Sequence, residues 1–170
     1  MEKYEFTEET LDWKGKTLHR IRALRDFGDV KAGDIGCWIE KEKNLSHNGD
    51  CWIYDSAIVY GSAIVCDSAK ICDSTKICGS AKVYDSTKIC GSACINSDRD
   101  YMIINPIGSR NGATTAFRTL EGTKVQCGCF YGSISEFEEK VKETHGDNQY
   151  AKEYLAFIEL LKVRFKDYEN

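Results

Sequence analysis

Residues 51–98 read CWIYDS, AIVYGS, AIVCDS, AKICDS, TKICGS, AKVYDS, TKICGS, ACINSD. The third position of every unit is Ile or Val: Ile53, Val59, Val65, Ile71, Ile77, Val83, Ile89 and Ile95. The first position is small, from Cys51 and Ala57 through Ala63, Ala69, Thr75, Ala81 and Thr87 to Ala93. Until the last unit, the fifth position is Asp or Gly and the sixth is Ser. Positions one and three share a face of a strand, because side chains alternate across it. The Asp-Ser or Gly-Ser pair bends the chain before the next strand. Identical bends every six residues wind the chain around an axis, so the stretch predicts stacked, very short parallel strands.

This pattern resembles the hexapeptide-repeat family. The resemblance implies a left-handed, three-sided parallel β-helix with 18 residues per coil, and eight units give two to three coils. Residues 18 apart then stack one strand spacing apart, roughly 4.8 Å. Ile53, Ile71 and Ile89 form one interior column, Val59, Ile77 and Ile95 a second, and Val65 and Val83 a third. The outward columns carry Trp52, Lys70 and Lys88, then Ile58, Lys76 and Cys94, then Ile64 and Lys82. So short a solenoid needs caps or partners. Outward Trp52, Ile58 and Ile64 offer a surface for homo-oligomerisation, unless the flanking segments cover them.

Three segments follow: a β cap and lead-in over 1–50, the repeat over 51–98, and an α+β capping module over 99–170. The fold class is therefore mainly β. In the first segment YEF, TLDW and TLHRIRAL predict strands around a turn at Lys14-Gly15-Lys16. DFGDVKAGDIG, NLS and GDCWIY are similar to the segment leading into the coil of uncharacterised bacterial and phage hexapeptide-repeat proteins. Ile39 and Leu45 are already six apart, so winding is expected from near residue 36. The longer step from Leu45 to Ile53 predicts a two-residue bulge carrying Ser46 and His47.

In the last segment YMIINPIG, TTAFRTL and TKVQCGCFYG predict three strands. Two helices follow. Ser135 and Glu138 fit a capping box for the first. Gly146-Asp147-Asn148 ends it. The second is expected from Gln149 to Asp167, with an apolar stripe of Tyr154, Phe157, Ile158, Leu161 and Phe165. NPIGSRNGATTAFRT, CGCFYG and EFEEKVKETHGDNQYAKEYL are also similar to a segment of bacterial and phage proteins. The module should close the β-helix.

A net charge of -4 argues against a nucleic-acid polymer as partner. No apolar run approaches the roughly 18 residues of a membrane span, and the charged N-terminus lacks a signal core. The cytoplasm of a bacterial host is the expected location. Nine cysteines without such a signal read as thiols rather than a disulfide framework.

His47 is the candidate general base if the chain is an acyltransferase using coenzyme A, because some hexapeptide-repeat acyltransferases place a histidine on a loop. No acidic partner for its imidazole is identifiable. Three histidines, His19, His47 and His145, come from separate segments, so a three-histidine metal site is not expected. Cys72 and Cys90 should stack on adjacent coils. Their first reading is as space-filling thiols, with a zinc-ligand pair or a disulfide within reach; the expected metal set is none. Outward lysine, isoleucine and tryptophan exclude the flat threonine ladders of an ice-binding surface.

The strongest candidate is PIGSRNGATTAFR. Gly108 to Gly112 is a turn whose N–H groups would form an anion nest. Ser109, Arg110, Asn111, Thr114, Thr115 and Arg118 would bind phosphate, and Phe117 and Phe130 would stack on a base. The expected ligand is a phosphate-bearing small molecule such as a cyclic nucleotide. No cofactor is expected, because no nucleophile or base lies beside the turn. The expected function is therefore binding without turnover. The phage and prophage distribution of similar proteins suggests a sponge for a nucleotide signal of antiviral defence. The alternatives are the acyltransferase and a structural, oligomerising module.

Overall fold

A computed structural model describes residues 2–166. It divides into two compact units, Met1–Asp100 and Tyr101–Asn170. Among the described residues, no helix is long and apolar enough to cross a membrane.

The first unit is a parallel β-helix with a β-sheet cap. Its repeat strands are two residues each: β4 (Trp52–Ile53), β5 (Ile58–Val59), β6 (Ile64–Val65), β7 (Lys70–Ile71), β8 (Lys76–Ile77), β9 (Lys82–Val83), β10 (Lys88–Ile89) and β11 (Cys94–Ile95). Parallel pairing joins β4, β7 and β10 on one side, β5, β8 and β11 on the second, and β6 and β9 on the third. The registers place Ile53 on Ile71, Ile71 on Ile89, Val59 on Ile77, Ile77 on Ile95 and Val65 on Val83. All eight side chains are fully buried, and no first-position residue exceeds 1% exposure.

The fifth position explains the bends. Asp55, Asp67, Asp73 and Asp85 take φ between 55° and 61°, a left-handed conformation that Asp and Gly tolerate better than other residues. Three of these carboxylates also bind the coil above. The Asp55 carboxylate accepts the N–H of Asp73 at 3.2 Å, Asp67 that of Asp85 at 3.2 Å, and Asp73 that of Gly91 at 2.7 Å.

Winding starts before the repeat. β3 (Ile35–Ile39) pairs in parallel with β5, placing Ile39 on Val59, and Leu45 bridges to Val65. Both steps are 20 residues instead of 18, which locates the two extra residues in the bulge that includes Ser46 and His47. The hairpin of β1 (Tyr4–Trp13) and β2 (Lys16–Ala23) extends the same sheet through β3. Lys14 and Gly15 both have positive φ, the geometry of a two-residue hairpin turn.

Two of the three outward apolar residues of the first coil are covered within this unit, while Ile64 stays half-buried. Trp52 is 1% exposed and Ile58 6%. The Trp52 ring lies 5.3 Å from that of Phe27 and 6.3 Å from that of Tyr4. A Cβ on Gly36 would come within 2.6 Å of the Trp52 ring, so only glycine admits this contact. The self-association surface expected at Trp52 and Ile58 is thus an internal interface. Ile58 pairs with Trp38 of β3, and the Trp52 ring packs against Gly36, Tyr4 and Phe27.

The second unit is a four-stranded antiparallel sheet with two helices. Its strands are β12 (Tyr101–Ile107), β13 (Gly112–Thr119), β14 (Gly122–Cys127) and β15 (Phe130–Ser133), paired in that order. One expected strand is split in two because Gly128, at φ 58°, turns the chain between Cys127 and Phe130. Helix α1 (Ile134–His145) and helix α2 (Gln149–Arg164) pack on one face of the sheet. The expected end of α2 at Asp167 lies outside the described residues.

The capping box of α1 is Ser133 with Glu136, two residues before the expected pair. Both pairs fit the Ser-x-x-Glu pattern. Starting at Ile134 buries Ile134, Phe137 and Val141 together, and frees Glu138 to pair with Lys142 and Lys162. Asn148 caps α2 by accepting from the N–H of Ala151 at 3.0 Å. The α2 stripe is buried as the periodicity predicts, from Tyr154 through Phe157, Ile158 and Leu161 to Phe165.

Candidate functional site

A cleft of about 400 Å³ opens within the second unit, inside the roughly 300–1,000 Å³ range of small-molecule sites. Four segments build it. The β12–β13 turn supplies Ser109 and Arg110, and the β14–β15 turn supplies Cys127 and Phe130. Helix α1 adds Phe137, Lys140 and His145, and α2 adds Tyr154. Every charged or titrating nitrogen side chain that lines it is basic: Arg110, Lys140 and His145. Among the described residues, no Asp or Glu lines it.

The floor is aromatic. The Phe130 and Phe137 rings lie 5.1 Å apart, and Phe137 meets Tyr154 edge-on at 5.6 Å. The His145 ring stacks against Tyr154 at 5.7 Å. A polar chain crosses this floor. Thr114 Oγ1 donates to Cys127 Sγ at 3.0 Å, and Cys127 Sγ donates to Tyr154 Oη at 3.7 Å. Burial, then the contact with Cys127, pushes the Tyr154 hydroxyl up to about 12, so it remains a protonated phenol at neutral pH.

Gly108 is set by this packing. A Cβ there would sit 2.0 Å from the Tyr154 hydroxyl, and its φ is 69°. Its N–H donates to a Glu153 carboxylate oxygen at 3.1 Å. The Asn111 N–H donates to the Gly108 carbonyl at 3.1 Å. Neither of these two N–H groups is available for an anion nest.

The expected site residues therefore separate. Ser109, Arg110 and Phe130 line the cleft, and Thr114 supports its floor. Asn111 holds the turn at φ 46°. Thr115 and Phe117 follow the alternation of β13 to the sheet face away from the helices, where Phe117 packs near Tyr131. Arg118 shares the helix face with Thr114 but stacks on Phe165, 5.3 Å from its ring. The sequence pattern missed Lys140, His145, Cys129 and Tyr154 as cleft residues. Cys129 lies in the turn between β14 and β15; the other three come from helices that read as amphipathic packing, and a helical pattern does not show which turn faces a cleft.

His47 sits elsewhere, in the bulge of the first unit. Its Nδ1 accepts the backbone N–H of Lys3 at 3.1 Å, and its ring stacks on Tyr4 at 4.3 Å. The bond and the stack hold the ring in place in the bulge. Beside it, the Lys3 ammonium is fully buried and donates to the Cys51 carbonyl at 2.9 Å. These contacts tie the chain's beginning to the bulge. His19 stacks on Phe6 at 4.8 Å. Each of the three histidines thus lies in its own aromatic stack.

The repeat, its registers and its buried columns define the class: a protein built on a hexapeptide-repeat parallel β-helix, joined to an α+β unit. No protein-family profile matches the chain. It is similar to the "Uncharacterized acetyltransferase YdcK" of Escherichia coli (strain K12), with 39% identity over 67 residues. That match covers 35% of this chain and 21% of the relative, so the chain spans about a fifth of that protein's length.

Proposed function

We propose that the protein binds a small anionic molecule, with a planar or apolar body, in the cleft of its second unit. The observation that carries this is the pairing of an aromatic floor with a rim whose charges are all basic. Arg110 and Lys140 are placed to meet a phosphate or carboxylate with charge-assisted hydrogen bonds. Lys140 is engaged with Glu143 at 2.8 Å, but both side chains are more than half exposed, and such pairs exchange partners at little cost. Phe130 and Phe137 supply the stacking surface. A cyclic nucleotide belongs to this ligand class. No described residue points to antiviral defence, and binding alone is what the cleft supports.

The test begins with the purified protein. Heat denaturation should release about one equivalent of an anionic ligand, identified by mass spectrometry. Calorimetry with nucleoside phosphates and cyclic dinucleotides should then give dissociation constants below about 100 µM, or about -5.5 kcal/mol. Release of nothing, together with no binding in that range, would sink the proposal.

The similarity to an acetyltransferase favours a second reading, that the chain belongs to an acyl-transferring protein. Coenzyme A carries phosphates, so it falls in the same ligand class. Mixing the protein with acetyl-coenzyme A and small acceptors separates the two readings. Thiol release that disappears in His47→Gln or His145→Gln supports transfer; saturable binding without thiol release supports the first reading.

A further inference from the structure

The fourth position of the repeat carries Tyr54, Tyr60, Cys66, Cys72, Cys78, Tyr84, Cys90 and Asn96. The 18-residue coil sorts them into three columns: Tyr54, Cys72 and Cys90; Tyr60, Cys78 and Asn96; Cys66 and Tyr84. Only the first stacks two cysteines on adjacent coils. The strands beside them are in register, Lys70 on Lys88 and Ile71 on Ile89. The same column carries Asp55, Asp73 and Gly91 at the neighbouring fifth position, where the Tyr60 column carries Gly61 and Gly79.

The geometry follows. One ligand atom each from Cys72, Asp73 and Cys90 lies within 4.8 Å of the other two. Two thiolates on one tetrahedral zinc, with bonds of about 2.3 Å, stand about 3.8 Å apart, a separation that in-register rungs at roughly 4.8 Å allow with a small side-chain adjustment. Asp73 Oδ2 accepts the Gly91 N–H at 2.7 Å. That bond orients the carboxylate and leaves its second oxygen for a metal, the arrangement of a ligand held from behind. Cys90 is buried, Cys72 half-buried and Asp73 exposed, so the site is open to solvent on one side. Cys78 shows the contrast. In the next column it donates to Asn96 Oδ1 at 2.7 Å and has no second sulfur above or below it.

We propose that Cys72, Cys90 and Asp73 form a divalent-metal site of zinc class on the side of the β-helix, with water completing a tetrahedron. Two sulfurs select soft or borderline cations over Mg²⁺ and Ca²⁺. Binding displaces up to two thiol protons to solvent and changes no oxidation state. A Cys72–Cys90 disulfide is the competing fate of the same sulfurs, but it has no use for a third donor.

The experiment uses the full chain, reduced and metal-free. Zn²⁺ is titrated against a chromophoric chelator, and Co²⁺ is followed by its thiolate charge-transfer absorption. One equivalent of metal should bind, with proton release and a charge-transfer band. Cys72→Ser and Cys90→Ser should each weaken binding roughly 100-fold or more, beyond the 10–100-fold typical of outer-shell losses, while Cys66→Ser leaves Zn²⁺ affinity unchanged. Asp73→Asn keeps an oxygen for the Gly91 N–H, so the turn survives. It should weaken Zn²⁺ about 10-fold and leave the charge-transfer band. Affinity indifferent to both cysteine changes overturns the site. So does a Cys72–Cys90 cross-linked peptide in protein alkylated on purification. Should one serine variant fail to fold, the other and Asp73→Asn decide.

Discussion

The two units solve the burial problem in opposite ways. In the first, one six-residue rule recurs eight times, and each residue's environment follows from its place in the unit. Third-position side chains are wholly inside, and their neighbours at the second position point out; Lys88 is exposed and Ile89 fully buried one residue later. In the second, nothing repeats. Its cleft draws on two turns and two helices, and no single segment contains it. Repetition makes a scaffold with little room for a pocket, because each coil fills the space against the next. Departure from repetition leaves a concavity, and there the basic and aromatic groups converge.

Breaking this contrast is most direct in the scaffold. Ile89→Ala should cost about 2–5 kcal/mol of unfolding free energy, since it leaves a cavity in a stacked column. Lys88→Ala on the same strand should stay within about 0.5 kcal/mol. Denaturant melts of both variants check this, and similar costs would show that the columns do not carry the stability.

The cleft sharpens the comparison through two arginines on one hairpin. Arg110→Ala should weaken ligand binding by about 10–100-fold, the loss of one charge-assisted hydrogen bond of about 1.5–3 kcal/mol. Arg118→Ala should leave affinity within about threefold and cost about 0.5–2 kcal/mol of stability through the lost Phe165 stack. Calorimetry beside thermal melts separates them. Equal loss of binding in both would return the site to the hairpin as a whole.

A smaller effect belongs to helix entry. Ser133→Ala removes the side chain that accepts the Glu136 N–H at 3.2 Å and should cost about 1 kcal/mol. Ser135→Ala should cost clearly less, which urea denaturation can resolve.

The smallest expected effect is electrostatic. Lys142 first, then Lys162, hold the Glu138 carboxyl down at about 2. A depressed folded pKa means the unfolded chain binds the proton first as pH falls. The stabilisation is therefore complete above about pH 4.5, the ordinary value, and is lost towards pH 2. Wild type and Glu138→Gln should converge in melting temperature across that window. A constant gap down to pH 2 would remove the ion pairs from the account.

Sequence alone determined the β-helix. A period of six with Ile or Val at one position and Asp or Gly at another prescribes strand, bend and buried column without outside information, because the partners of each residue are copies of itself 18 positions away. It also located the bulge, from the excess spacing between Leu45 and Ile53, and singled out three of the residues that line the cleft, Ser109, Arg110 and Phe130. Tertiary structure decided the rest. Periodicity says that Trp52 points outward but not that β1–β3 cover it, and it shows an amphipathic α1 without saying that Lys140 and His145 face a cleft. Strand alternation parts Thr114 from Thr115, but only packing sets Arg118 against the Phe165 ring. Such contacts join residues with no common period, and only the folded chain brings them together.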